Sequence, residues 1–293
     1  MLTFEKDFFA GETRNDFYIE PLMKSAWAAE LEVLEVIRQI CEKHAIRYFA
    51  AYGTLLGTVR HKGYIPWDDD IDIMMFREDY ERFLSAAPAE LTGEYRLYTP
   101  YNTENYRTPF AFLANADSIS CSPERLLAFH GFPYVAGVDI MPLDILPSDA
   151  KERDAFFQLF NILMTGCLKY EEQSDEVMES LSDIEELCRA KIDRSGNIPH
   201  QLCILADRLS RCYNGSDSPY ISCVTYAAPA DRTLLRDWYA DAEWMPFENV
   251  RIPVPIGYDS ILTAIYGDYR TPIHGTVAHD YPFYKAQIEK YQT

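Results

Sequence analysis

Basic residues are scarce in this 293-residue chain: 27 lysines and arginines stand against 46 aspartates and glutamates, a formal net charge of −19. Such an acidic chain argues against nucleic acid as a partner, because a phosphate backbone demands a basic surface. Long apolar runs are missing too. No stretch approaches the roughly 18 apolar residues that a membrane-spanning helix needs. The opening MLTFEKDFFAGETRND has no charged region followed by an apolar core, so no leader peptide is expected and the expected compartment is the cytoplasm. The seven cysteines include no Cys-x-x-Cys pair. An odd, scattered set points to reduced, mostly buried thiols and away from zinc. Internal repeats and low-complexity tracts are absent as well. Apolar residues make up 48% and aromatics 14%, enough to build a substantial core and incompatible with disorder.

Against this background residues 47 to 75, RYFAAYGTLLGTVRHKGYIPWDDDIDIMM, form one dense unit. Arg47 to Tyr52 has strand character, and Gly53 follows where a side chain would keep a phosphate from backbone N–H groups. Thr54 to Arg60 is expected as a short helix whose N-terminal amides and dipole face an anion. Arg60, His61 and Lys62 stand out as a basic cluster in an acidic chain. From Ile65 to Ile73 the alternation predicts a strand with Asp68, Asp70 and Asp72 on one face and Ile71 and Ile73 on the other. Three like charges on one face call for a cation, and oxygen-only ligands favour Mg²⁺ or Mn²⁺.

Gly53-Thr54-Leu55-Leu56-Gly57, Arg60-His61-Lys62-Gly63 and Ile65-Pro66-Trp67-Asp68-Asp69-Asp70-Ile71-Asp72 together resemble the signature of the LicD family, the bacterial phosphocholine transferases related to fukutin and fukutin-related protein. Gly137-Val138-Asp139-Ile140-Met141-Pro142-Leu143-Asp144 resembles that family's later strand. A weaker likeness runs from Phe247 to Pro255 and through Tyr266-Gly267-Asp268-Tyr269. The resemblance implies a nucleotidyltransferase-like α+β fold, a mixed sheet flanked by helices. It also implies a metal set of Asp68, Asp70, Asp72 and Asp139, with Asp70, Asp72 and Asp139 catalytic. Gly53, Thr54, Arg60, His61, Lys62 and Trp67 are the implied substrate contacts. The implied reaction is Mg²⁺-dependent transfer of a phosphocholine-like group from a CDP-linked alcohol such as CDP-choline to a cell-surface glycan or its precursor, as in lipopolysaccharide or teichoic acid modification. One departure is plain: Phe110-Ala111-Phe112-Leu113-Ala114 lacks the basic residues that the family often carries there, and Arg107 is the nearby candidate to replace them.

Pro21 to Lys43 carries a helical stripe at Trp27, Leu31, Leu34, Ile37 and Cys41. Arg77 to Ala86 is expected as a helix, and Tyr95–Tyr98, Phe110–Leu113 and Tyr134–Met141 as strands. Residues 151 to 213 change character: three amphipathic stripes predict three helices, joined by the acidic stretch Glu171 to Glu176 and by Ser195-Gly196-Asn197. The expected layout is a catalytic core over 1–148, a helical insertion over 149–215, and a C-terminal part over 216–293 completing core and substrate site. Aromatics from Trp238 to Tyr284 suit packing, base stacking or recognition of a quaternary ammonium, and His274 and His279 are acid–base candidates. Two alternatives stay open: a nucleotidyltransferase moving a nucleoside monophosphate from ATP or CTP to a small molecule, and a non-catalytic nucleotide-binding protein, which the missing basic residues at Phe112 and Ala114 favour.

Overall fold

The computed structural model describes residues 1–224, 233–273 and 281–291; His274 and His279 lie outside them. In chain order the elements are β1 (Glu12–Arg14), β2 (Phe17–Ile19), α1 (Pro21–Lys43), β3 (Phe49–Ala50), α2 (Tyr52–His61), β4 (Ile71–Phe76), α3 (Arg77–Glu90), β5 (Arg96–Tyr98), β6 (Ala111–Ala114), α4 (Pro123–Ala128), β7 (Gly137–Ile145), α5 (Ala150–Leu168), α6 (Tyr170–Cys188), α7 (Ile198–Ser210), β8 (Tyr220–Ser222), β9 (Leu234–Leu235), β10 (Ala242–Phe247), β11 (Val250–Pro255), α8 (Tyr258–Tyr266) and α9 (Lys285–Tyr291). This is the expected α+β class, a mixed sheet flanked by helices. Among the described residues no helix is long and apolar enough to cross a membrane.

Two compact units divide the chain. The first comprises Met1–Leu97, Phe112–Ile140 and Trp238–Thr293. Its sheet runs in the order β3-β4-β7-β6-β5, so β4 and β7 are neighbours and Asp72 and Asp139 come to adjacent strands. The helix α1 matches the expected Pro21–Lys43, starting on a proline that has no N–H to leave unpaired. Its stripe of Met23, Trp27, Leu31, Leu34 and Ile37 is buried. So are Ile71, Ile73 and Met75 of β4. The antiparallel hairpin β10–β11 pairs Ala242 with Pro255 through to Phe247 with Val250.

The second unit comprises Tyr98–Ala111 and Met141–Asp237, and so takes in the helices expected over 149–215. Helices α5, α6 and α7 share a core of Phe156, Phe160, Leu163, Leu181, Ile184 and Leu202. The acidic stretch Glu171 to Glu176 holds the expected break in part: α5 ends at Leu168, and within α6 Gln173 leaves helical geometry at φ −129° and ψ 30°, a kink after which the helix resumes. Asn197 does open the next helix, its side chain accepting from His200 N–H at 3.1 Å.

Candidate active site

The site grows from one junction in the first unit. Strand β3 is only Phe49–Ala50, paired with Ile73 and Met74 of β4, and the chain turns at once into α2. Tyr52 takes a positive φ of 40° at that corner, a costly conformation for an aromatic residue, which the surrounding packing must hold in place. Gly53 follows, and a Cβ there would overlap a carboxylate oxygen of Asp68. The open side of Gly53 is therefore filled by Asp68, where the sequence pattern suggested a phosphate.

The strand expected from Ile65 begins only at Ile71. Before it, Pro66 and Trp67 form a turn closed by Asp68 N–H to the Ile65 carbonyl at 2.9 Å, and Asp68, Asp69 and Asp70 follow in irregular backbone. Tertiary bonds replace the ladder. The indole of Trp27 donates to the Asp68 carbonyl at 3.1 Å, and the Asp69 carboxylate, fully buried, accepts from Phe283 N–H at 2.5 Å. Asp69 turns toward the C-terminal segment, and its charge, like that of Asp70, also acts on Asp68.

That mutual action is visible in their acidities. Asp72 is held well above the usual carboxylate range, first by burial and then by the charges of Asp70, Asp139 and Asp68. Asp68 is raised likewise, by burial, then by Asp70 and Asp69. Four carboxylates from three segments thus crowd into one low-dielectric spot, and all cannot be ionised without protons or a cation between them. Among the described residues no three His, Cys, Asp or Glu side chains form a ready-made metal cage. The donor set still fits a hard divalent ion: carboxylate oxygens only, partly or fully buried, and close enough to raise one another's acidities.

Thr54 serves this cluster from inside. It is buried, and its hydroxyl oxygen accepts from Asp72 N–H at 2.8 Å. Thr54→Val keeps the shape and leaves that buried N–H without a partner, an expected loss of about 1–3 kcal/mol. A lower urea midpoint at unchanged m-value would register it.

The basic cluster lies elsewhere. Gly53 and His61 stand eight residues apart on α2, about 12 Å along its axis at 1.5 Å per residue. Arg60 donates to His61 Nε2 at 2.9 Å and to the Tyr269 carbonyl at 3.0 Å. Burial, together with Arg60 and Arg14, lowers the His61 pKa to about 4, so it is neutral at neutral pH. Lys62 is exposed at the helix end in the left-handed region. Trp67 packs edge-on against Phe17, with ring centroids 6.2 Å apart. Arg107 belongs to the second unit, where it pairs with Glu171 at 2.5 Å. Asp144 is also in that unit, fully buried and accepting from Asn214.

Three features of the site escaped sequence reasoning. Glu30 of α1 is buried, accepts from the Tyr64 hydroxyl at 2.8 Å, and is itself pushed well above the usual range by burial and by Asp69, Asp70 and Asp68. Trp27 and Tyr64 stack face to face, centroids 4.5 Å apart, beneath the aspartate loop. Glu248 accepts from both Arg14 guanidinium nitrogens, at 2.6 and 3.1 Å, and from Tyr64 N–H at 3.2 Å. A Cβ on Gly63 would overlap that carboxylate, so this glycine makes room for a partly buried ion pair. A glutamate inside the otherwise apolar run of α1 was the available signal for Glu30; nothing local announces Glu248.

A carboxylate cluster thus lies beside the β3–β4 strand pair and the start of α2. Residues 45–113 match the family model described as LicD/FKTN/FKRP, nucleotidyltransferase domain. A lipopolysaccharide cholinephosphotransferase LicD of Haemophilus influenzae is 44% identical over 69 residues, 24% of this chain and 26% of that protein. An uncharacterised protein of Rickettsia typhi is 38% identical over 66 residues, 22% of this chain and 21% of the relative. One of Rickettsia prowazekii is 44% identical over 48 residues, 16% and 18%. The matched segment thus spans about a quarter or less of each relative.

Proposed function

We propose that the protein is a transferase that moves a phospho-alcohol group, of the phosphocholine kind, from a CDP-linked donor to a hydroxyl of a cell-surface glycan or its precursor. The observation that carries this reading is that the segment matching the family model, residues 45–113, contains Gly53, Thr54, Asp68, Asp70 and Asp72, which with Asp139 build the carboxylate cluster. A nucleotidyltransferase-like fold for the first unit is part of the same proposal.

In this reading the acceptor oxygen forms a bond to the phosphorus carrying the alcohol, the bridging P–O bond breaks, and CMP leaves with the bridging oxygen. Asp139 takes the acceptor proton. Asp70 and Asp72, with Asp68 and Asp139 beside them, would hold Mg²⁺ or Mn²⁺, which supplies charge neutralisation for the donor diphosphate. Glu30, Trp27 and Tyr64 hold the loop in place from below. Thr54 fixes the backbone of Asp72.

The donor is tested by thermal shift with CDP-choline, CDP-ribitol, CDP-glycerol, CTP and ATP, each with and without Mg²⁺. At about 100 times its dissociation constant a ligand adds about 2.7 kcal/mol, enough to move the melting temperature by several degrees. A Mg²⁺-dependent shift with a CDP-alcohol is expected. A response confined to CTP or ATP would favour transfer of a nucleoside monophosphate instead.

A further inference from the structure

The C-terminal segment 281–291 of the first unit ties together separate pieces of the site. Phe283 N–H donates to the buried Asp69 carboxylate at 2.5 Å, and the Tyr284 hydroxyl donates to Glu20, the residue directly before α1, at 2.5 Å. The Gln287 side chain donates to the Val135 carbonyl at 2.8 Å and accepts from Val135 N–H at 2.9 Å. Each anchor lies at the base of an element that serves the carboxylate cluster. Asp69 stands between Asp68 and Asp70, Glu20 leads into the helix of Trp27 and Glu30, and Val135 leads into the strand of Asp139.

Aromatic packing holds the segment down between these bonds. Tyr284 is buried, stacks on Tyr134 with ring centroids 5.8 Å apart, and meets Phe132 edge-on at 5.6 Å. Tyr281 meets Phe17 edge-on at 5.6 Å, and Phe17 in turn meets Trp67. The Tyr281 hydroxyl is pushed up by burial first and then by the charges of Asp69, Glu20 and Asp68, which puts this end of the segment within electrostatic reach of the aspartate loop.

Residues 68–70 lie in irregular backbone with no strand ladder to order them, so fixing them costs conformational entropy. An ion held by Asp68 and Asp70 would fix the backbone on both sides of Asp69, while Phe283 N–H fixes Asp69 itself. Once either has ordered the loop, the other meets a loop already in place, which is positive coupling without a shared contact. We propose that docking of segment 281–291 and binding of a divalent cation by Asp68, Asp70, Asp72 and Asp139 are coupled: the docked segment tightens the ion, and the ion tightens the segment. Phe283, Tyr284 and Gln287 are then positioning residues that act on the ion through Asp69 and the approach to Asp139. This coupling rests on the reading of the aspartates as a cation site, and the experiment separates the two.

Mn²⁺ binding to the full chain is measured by titration calorimetry, and amide hydrogen exchange of residues 281–291 by mass spectrometry, with a chelator or with saturating Mn²⁺. In the wild type the ion is expected to slow exchange across 281–291 about fivefold or more, an effect lost in Asp72→Asn at the same Mn²⁺ concentration. Gln287→Ala removes both bonds to Val135 without altering a carboxylate, and is expected to speed exchange of the segment and to raise the Mn²⁺ dissociation constant about fivefold or more. Tyr284→Phe keeps the ring packing and loses only the bond to Glu20; the same changes are expected in it, smaller, and it decides the matter if Gln287→Ala does not fold. A segment that only adds stability would lower the melting temperature of the variants and leave Mn²⁺ affinity unchanged. That result overturns the coupling, as does Mn²⁺ that binds the wild type and leaves exchange of 281–291 as it was. Wild-type protein that binds no Mn²⁺ at all overturns the cation reading together with the coupling.

Discussion

Asp72→Asn is expected to reduce phospho-alcohol transfer by at least about 10²- to 10³-fold, the scale seen when a group acting directly on transition-state charge is removed. Asp72 is the cluster member on the regular strand, with its N–H pinned by Thr54 and its carboxylate facing Asp70, Asp139 and Asp68. The amide keeps the shape and removes the charge. Because that charge is unfavourable in the folded, metal-free protein, the variant should melt at or above the wild-type temperature at neutral pH while losing activity. Rate and melting temperature measured on the same preparation separate this from simple misfolding. A variant that is both inactive and markedly less stable would point to a structural carboxylate.

Metal-free protein is expected to lose stability as pH rises from about 5 to 8, and Mg²⁺ or Mn²⁺ to restore it. The sign follows from the direction of the shifts. Asp72, Asp68 and Glu30 all have folded-state pKa values above those of the unfolded chain. The folded state therefore binds more protons in that window, and stability is fullest below the ordinary carboxylate range and declines as each group ionises. A cation bound to the cluster stabilises the ionised forms and should flatten the decline. Melting curves across that pH range, with a chelator or with divalent ion, test it; in Asp72→Asn both the slope and the rescue should shrink.

Much of this was legible in the sequence because it is local. The stripe of α1 gave its bounds, and the glycine, the helix after it and the Asp-Asp-Asp-Ile-Asp run mark the junction correctly. The length of the strand was not legible. Residues 68–70 lie outside the ladder, where the Trp27 indole donates to the Asp68 carbonyl and Phe283 N–H to the Asp69 carboxylate, contacts 41 and 214 residues apart in the chain. Gly53 was readable as a place where a side chain does not fit, but that Asp68 fills the space is a tertiary fact, as is the Glu248 carboxylate against Gly63. The basic cluster looked adjacent to the aspartates because the sequence brings it close; the rise of α2 carries it to the far end of the helix.

The most direct measurement incubates the full chain with CDP-choline, Mg²⁺ and isolated surface glycan and follows the phosphorus products by ³¹P NMR. The account predicts CMP together with phosphocholine bound covalently to glycan, both lost in Asp72→Asn. Pyrophosphate released from CTP while CDP-choline stays intact would contradict it.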